Sequence, residues 1–261
     1  MNNKKEKFAR FGISTKGFVY CLIGALTLAA AFGMGGKKAD SDGVLSTLGD
    51  QPFGQILLGI TALGLLGFVF WRFYQAIVDP EDIGSDFKGI ITRIGYSLSA
   101  VFYGLLAFTA LKMIFNGGNQ GSGGGRESAI STLLSKPYGQ VLVGILGAIF
   151  LGKALYQFYR AYSGKFKKKV EAAELDNKVE RWVLNTGYVG YTARGIVVGV
   201  ISYLTFHAAF TADSDSAGGT KEAFSFLQNE FGTIVLAIIA AGLFAYGFFM
   251  FVKARYRSIG I

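Results

Sequence analysis

The sequence predicts an all-α integral membrane protein. Six transmembrane helices form three parallel two-helix repeats with pseudo-threefold symmetry, and short interfacial helices lie in the outer loops. Three observations predict this. Hydrophobic residues fill 51% of 261 positions and charged residues 16%, whereas a soluble domain carries about 25% charged. Six stretches reach the ~20 apolar residues that a helix needs to cross a bilayer. The same local marks recur three times along the chain. The 24 Phe, 13 Tyr and 2 Trp exclude disorder, and the single Cys21 excludes a disulfide scaffold.

The spans are expected at 13–32, 55–78, 93–115, 138–159, 182–210 and 231–252. They are too long and too evenly apolar for barrel strands, which alternate over about 10 residues. Pro52, Pro80 and Pro137 all sit at span ends, so no span is broken. Lys4, Lys5, Lys7 and Arg10 precede an apolar run ending near Ala29, Ala30 and Ala31, in the manner of a secretory signal. The same segment recurs later as an internal span, which favours its retention. Lys and Arg number eighteen on the side of both termini and six on the other. Short basic loops stay inside, so both termini are expected in the cytoplasm. The formal charge of +9 is thus a topology signal and calls for no nucleic-acid partner.

Residues 1–80 form the first repeat, 81–164 the second and 182–261 the third, with 165–181 a basic cytoplasmic linker. The odd spans begin at Gly12, Gly95 and Gly190. The even spans begin with an aromatic and a glycine: Phe53-Gly54, Tyr138-Gly139 and Phe231-Gly232. Each unit crosses twice, so the copies share one orientation. The outer loops carry short apolar segments at 44–48, 129–134 and 223–227, spaced for a helical turn at the interface. The glycine-rich stretch 117–125 leads into the second as a flexible linker. Gly59 and Gly67 match Gly144 and Gly152, and small residues at this spacing predict close helix packing.

Ala9-Arg10-Phe11-Gly12 through Lys16-Gly17-Phe18-Val19-Tyr20 open the first copy. Gln51-Pro52-Phe53-Gly54 and Trp71-Arg72 through Asp79-Pro80 complete it. This pattern resembles the domain-of-unknown-function 1206 family of bacterial membrane proteins. The third copy departs, with Glu230 where Pro52 and Pro137 stand and no Trp-Arg pair. The resemblance implies a multi-pass protein of the bacterial cytoplasmic (inner) membrane and brings no catalytic residue.

None of the 17 Asp and Glu lies inside an expected span. Proton relays and cation-coupled carriers usually keep an intramembrane carboxylate. One histidine, His207, and one cysteine, Cys21, cannot supply paired haem ligands or a zinc site, so no cofactor and no metal are expected. His207 reads as an interfacial side chain and Cys21 as a small buried one. Gly33-Met34-Gly35-Gly36-Lys37-Lys38 lacks the full phosphate-loop spacing and reads as a linker. Lys153, Arg194 and Lys16 stand within or at the edge of spans. They are candidates for an inward-facing site for an anion or lipid headgroup, against the reading that they snorkel to phosphates. Lys165, Lys167, Lys168 and Lys169 suit a solvated linker or anionic-lipid binding.

Two functional readings stay open. One is a non-enzymatic scaffold or accessory subunit in the bilayer with a membrane-protein partner. The other is a small transporter or channel for an anionic or neutral solute, or a lipid-headgroup binder. The layout also matches mitochondrial carriers, but their Pro-x-acid-x-x-base signature is missing, so that likeness is architectural only.

Overall fold

A computed structural model describes residues 3–34, 38–80, 82–115, 130, 132–163, 176–213 and 218–256. The regular structure among them is helical: α1 (Asn3–Ala31), α2 (Ser41–Gly49), α3 (Gly54–Val78), α4 (Phe87–Phe115), α5 (Gly139–Tyr162), α6 (Asn177–Thr211) and α7 (Thr220–Tyr256). All but α2 are long and apolar enough to cross a membrane. The chain is a multi-pass membrane protein; five spans lie within about five residues of those expected, and the sixth begins earlier, at Thr220 where Phe231 is expected. The short apolar segment at 44–48 lies within α2. The one at 223–227 forms the first turns of α7. Of the middle one, Ile130 and 132–134 are helical, and the rest, with the stretch 117–125, lies outside the described residues.

The aromatic-glycine marks are local stop-and-restart signals, and proline explains them. The Gly54 N–H donates to the Gln51 carbonyl at 2.8 Å, and the Gly139 N–H donates to the Lys136 carbonyl at 2.9 Å. Each bond closes a four-residue turn with proline second, where its fixed φ fits. The third turn residue is left-handed: Phe53 at φ 64° and Tyr138 at φ 63°. A Cβ on Gly54 or Gly139 would overlap the carbonyl of Gly49 or Leu133, so glycine is required there. In the third repeat Glu230 replaces proline and restores an N–H. There the helix runs on through a kink at Gly232, with φ 83° and ψ 171°.

The chain forms two compact units, residues 1–19, 45–120 and 250–261, and residues 20–44 and 121–249. In the first, α3 packs along α4. The first half of α1 presses on α3, where Gly12 meets the Phe68 backbone and Gly64 meets Thr15. Trp71, Phe68, Leu65 and Leu58 are buried there. The α3 end is held by Arg93, whose Nε and Nη2 donate to the Ala76 and Ile77 carbonyls at 2.7 and 2.9 Å. Beyond it, the Asp79 carboxylate accepts from the Ile83 and Gly84 N–H groups at 3.0 and 2.8 Å. Those two bonds, with the Arg93 charge, hold the carboxyl below its ordinary pKa.

In the second unit α5 packs along α6. Gly190 and Gly242 let α6 and α7 touch: a Cβ on Gly190 would lie 2.6 Å from Tyr246 Cα, and one on Gly242 would meet the Ala193 Cβ. Farther along α7, a Cβ on Gly24 of α1 would lie 2.6 Å from the Phe244 N. The Cys21 thiol donates weakly to the Phe244 carbonyl at 3.6 Å. Tyr191, Tyr246, Phe224, Leu236 and Leu243 are buried.

The expected packing glycines need correction. A Cβ on Gly59, Gly144 or Gly152 meets nothing within 4 Å, and Gly152 is exposed. Gly67 is buried. The close crossings instead use Gly12, Gly24, Gly64 and Gly190. Spacing alone finds small residues, but which face of a helix meets a neighbour is set by the bulky residues around it.

Candidate functional site: two cation–aromatic clusters

Lys16 lies one turn after Gly12. The close crossing of α1 and α3 brings its stem against α3, and the residue is 4% exposed. Its Nζ sits 5.1 Å from the ring centres of both Phe68 and Tyr103. Arg72, one turn along α3, places its guanidinium 5.0 Å from the same Phe68 ring and 4.7 Å from Tyr96. Its Nη1 donates to the Oε1 of buried Gln75 at 3.1 Å.

The second unit repeats the arrangement. Arg194 lies one turn after Gly190, with its guanidinium 5.2 Å from the Tyr20 ring and 5.0 Å from Tyr246. Here the rings carry hydroxyls. Nε donates to Tyr20 Oη at 3.1 Å and Nη1 to Tyr246 Oη at 2.8 Å. With its amide oxygen turned to the guanidinium, Gln157 accepts from Nη1 at 2.7 Å and Nε at 3.2 Å. Arg160 stacks 5.0 Å over Tyr191, which meets Tyr246 edge to face at 5.5 Å. A desolvated cation–aromatic contact contributes about 2 kcal/mol, and a charged hydrogen bond about as much.

The two clusters occupy matching repeat positions. Lys16 and Arg194 both stand four residues after the odd-span glycine, Tyr20 and Tyr103 both eight after it. Phe68 and Tyr246 both stand fourteen after the even-span glycine. One further pair is interchanged. Arg72 and Gln75 of the first repeat correspond to Gln157 and Arg160 of the second, where arginine and glutamine have traded places over one helical turn. Either arginine lies over the tyrosine that follows the odd-span glycine, Tyr96 or Tyr191.

The middle repeat breaks the pattern. Ser99 stands at the cation position and Lys153 at the aromatic one, and a Cβ on Gly95 meets nothing within 4 Å. Lys153 is exposed on α5. The expectation that it faces a pocket with Arg194 is therefore corrected. Arg194 turns toward Tyr20, Tyr246 and Gln157, and Lys153 stands on the outer side. The equivalence of Lys16 and Arg194 was readable from the repeats. Their partners Phe68, Tyr103, Tyr20 and Tyr246, and the whole Arg72, Gln75, Gln157 and Arg160 set, were not identified. The equal offsets from the glycine marks were the signal.

His207 is exposed in a shallow groove of about 450 Å³ on α6, lined also by Tyr203, Phe206 and Phe210. Cys21 is half-buried. The basic run Lys165, Lys167, Lys168 and Lys169 lies outside the described residues.

The sequence profile described as Domain of Unknown Function (DUF1206) matches residues 11–79, 94–164 and 189–257, once for each repeat. The chain is 36% identical over 256 residues to the uncharacterized protein YxxB of Bacillus subtilis (strain 168), covering 97% of this chain and 92% of that one. No solved structure matches it. A three-copy match over most of the chain, with a relative aligned nearly end to end, assigns the protein to the DUF1206 family of membrane proteins.

Proposed function

We propose that the protein is a non-enzymatic scaffold or accessory subunit of the bacterial cytoplasmic membrane, with both termini in the cytoplasm. One observation carries the reading: the two cations at matching repeat positions, Arg194 and Lys16, are engaged by the fold itself. Arg194 bonds Tyr20, Tyr246 and Gln157, and Lys16 is 4% exposed between two rings. A cation committed to side chains of its own chain acts as a pin between helices. A solute site needs donors that open to water. The ring of three hairpins, the interfacial position of the outer helices and anionic-lipid binding by the basic linker belong to the same proposal. Its partners are the bilayer and another membrane protein, and neither nucleic acid nor a cofactor enters it.

The test compares Arg194→Met with the parent in proteoliposomes and by thermal unfolding. The scaffold reading expects the parent's melting point to be unmoved by phosphate, sulfate or short-chain anionic lipid. It also expects the variant to melt lower in every buffer. An anion that stabilises the parent and not the variant, or a solute flux lost in the variant, would replace this reading with transport or ligand binding. The orientation is read separately by cysteines at Ser122, Ser216 and Asn177. An impermeant reagent outside should label the first two, and labelling of the third in intact cells would reverse the topology.

A further inference from the structure

The third outer segment is joined to its span differently from the other two. Gly54 and Gly139 are buried, each seated against a carbonyl of the segment before it, Gly49 or Leu133. Those segments are therefore packed onto their own joints. Gly232 is exposed, and a Cβ on it meets nothing within 4 Å. Its neighbours share that exposure, from 229 through 234. A run of that length covers every side of a helix, so no side of the bend in α7 is packed into the fold.

Both flanks of the bend are packed. Before it, Ala223 and Phe224 are fully buried and Leu227 is nearly so, and beyond it Leu236 is fully buried. The Phe226 ring lies 5.4 Å from the Tyr203 ring of α6. Lys38 reaches the same turns, its Nζ donating to Ser225 Oγ at 3.3 Å. The chain beside Lys38 is itself fastened, with the Ala39 N–H donating to the Oγ1 of buried Thr27 on α1 at 3.4 Å. Two packed blocks meet at an unpacked glycine whose φ of 83° and ψ of 171° belong to glycine alone. A hinge needs a few residues of this kind to absorb the change in backbone angle. Backbone with few buried contacts is also where local opening costs least.

We propose that residues 220–231 form a strap hinged at Gly232, sealed in this structure by Phe224 and Leu227 and latched by Lys38. Opening swings the strap as a block and breaks the Lys38–Ser225 bond. It uncovers Phe224, Leu227 and the Tyr203 side of α6. The α2 helix, seated on buried Gly54, lacks this freedom. The proposal is independent of the scaffold reading.

The test measures thiol reactivity with iodoacetamide on the full chain in detergent micelles, with Cys21→Ala as background. Leu227→Cys reports the strap and Leu48→Cys reports α2, both at buried positions. Leu236→Cys, beyond the hinge, reports unfolding of the whole. Leu227→Cys should react about tenfold faster than Leu48→Cys, with Leu236→Cys slower than either. Lys38→Met should raise the Leu227→Cys rate several-fold and leave the other two unchanged. The proposal is overturned if Leu227→Cys reacts no faster than Leu48→Cys, or if Lys38→Met leaves its rate unmoved. Equal rates at Leu227→Cys and Leu236→Cys would mean global unfolding in place of a hinge and overturn it as well. Hydrogen exchange on the unsubstituted chain reads the same event without a cavity. The strap amides should exchange faster than those of α2, and equal or greater protection of the strap would refute the hinge.

Discussion

Replacing Gly190 with alanine tests whether the helix crossings position the arginine cluster. The new Cβ would lie 2.6 Å from Tyr246 Cα and 2.8 Å from its N, both backbone atoms that cannot rotate away. Ordinary contact begins at 3.4 Å, so α6 and α7 must part by about 0.8 Å at this point. The Arg194–Tyr246 hydrogen bond is 2.8 Å long. A separation of that size carried to the next turn would stretch it to about 3.6 Å, where it no longer counts as one. Overpacking costs about 1–3 kcal/mol and the lost charged bond about 1.5 more, against about 0.5–1 kcal/mol gained by alanine over glycine in a helix. The net expectation is a loss of about 1.5–4 kcal/mol. The assay is reversible unfolding in mixed detergent micelles, with Gly144→Ala and Gly152→Ala as controls. Nothing lies within 4 Å of either control site, so both should be neutral or slightly stabilising. If Gly190→Ala unfolds with or after the controls, the crossing is looser than described and the glycine does not position the arginine.

The remaining predictions concern separate elements. Arg194→Met and Tyr246→Phe should each destabilise. Their double variant should show a coupling of about 1–2 kcal/mol in a mutant cycle, and strict additivity would mean that the 2.8 Å bond contributes nothing. Phe53 is exposed and left-handed at φ 64°, so Phe53→Gly should stabilise by about 1 kcal/mol. A loss of that size would show that the ring is needed. The Asp79 carboxyl is lowered from 3.8 by its two backbone bonds. Its contribution is complete at pH above about 3.8 and is lost as pH falls through the depressed folded value. Unfolding measured between pH 6 and pH 2 should therefore weaken at the acid end. Asp79→Asn should remove that part of the profile, and an unchanged profile in the variant would assign it elsewhere.

Spans were legible in the sequence because lipid imposes one rule, a long apolar stretch, that every crossing must satisfy. The repeat was legible through Gly12, Gly95 and Gly190 and through the aromatic-glycine marks. Proline in two copies and Glu230 in the third foretold a difference, and the structure turns it into a broken helix against a kinked one. The packing glycines are not legible from spacing, for a definite reason. Gly59, Gly144 and Gly152 lie on one face of their helices, but a spacing rule cannot tell a face turned to a neighbour from one turned outward. Neither Gly12 nor Gly190 has a glycine or alanine four residues away to draw attention, and they carry the close crossings. Lys16 and Arg194 are legible in the sequence as deep cations, but their rings are not, because tyrosine and phenylalanine are everywhere in this chain. Only the offsets set Tyr20, Tyr103, Phe68 and Tyr246 apart from the other aromatics.

Arg72 with Gln75 and Gln157 with Arg160 have a consequence for how such triplicated chains descend. After duplication, a change of Arg to Gln at one site removes a contact, and a change of Gln to Arg one turn away restores it to the same tyrosine position. What is inherited is then the pair and not the position. Column-by-column comparison of the copies would score both sites as diverged, although the physical function is kept. Relatives of this chain should accordingly be compared by which turn of the helix carries the guanidinium. The third copy has Met250 and Lys253 at these positions and so carries neither member of the pair.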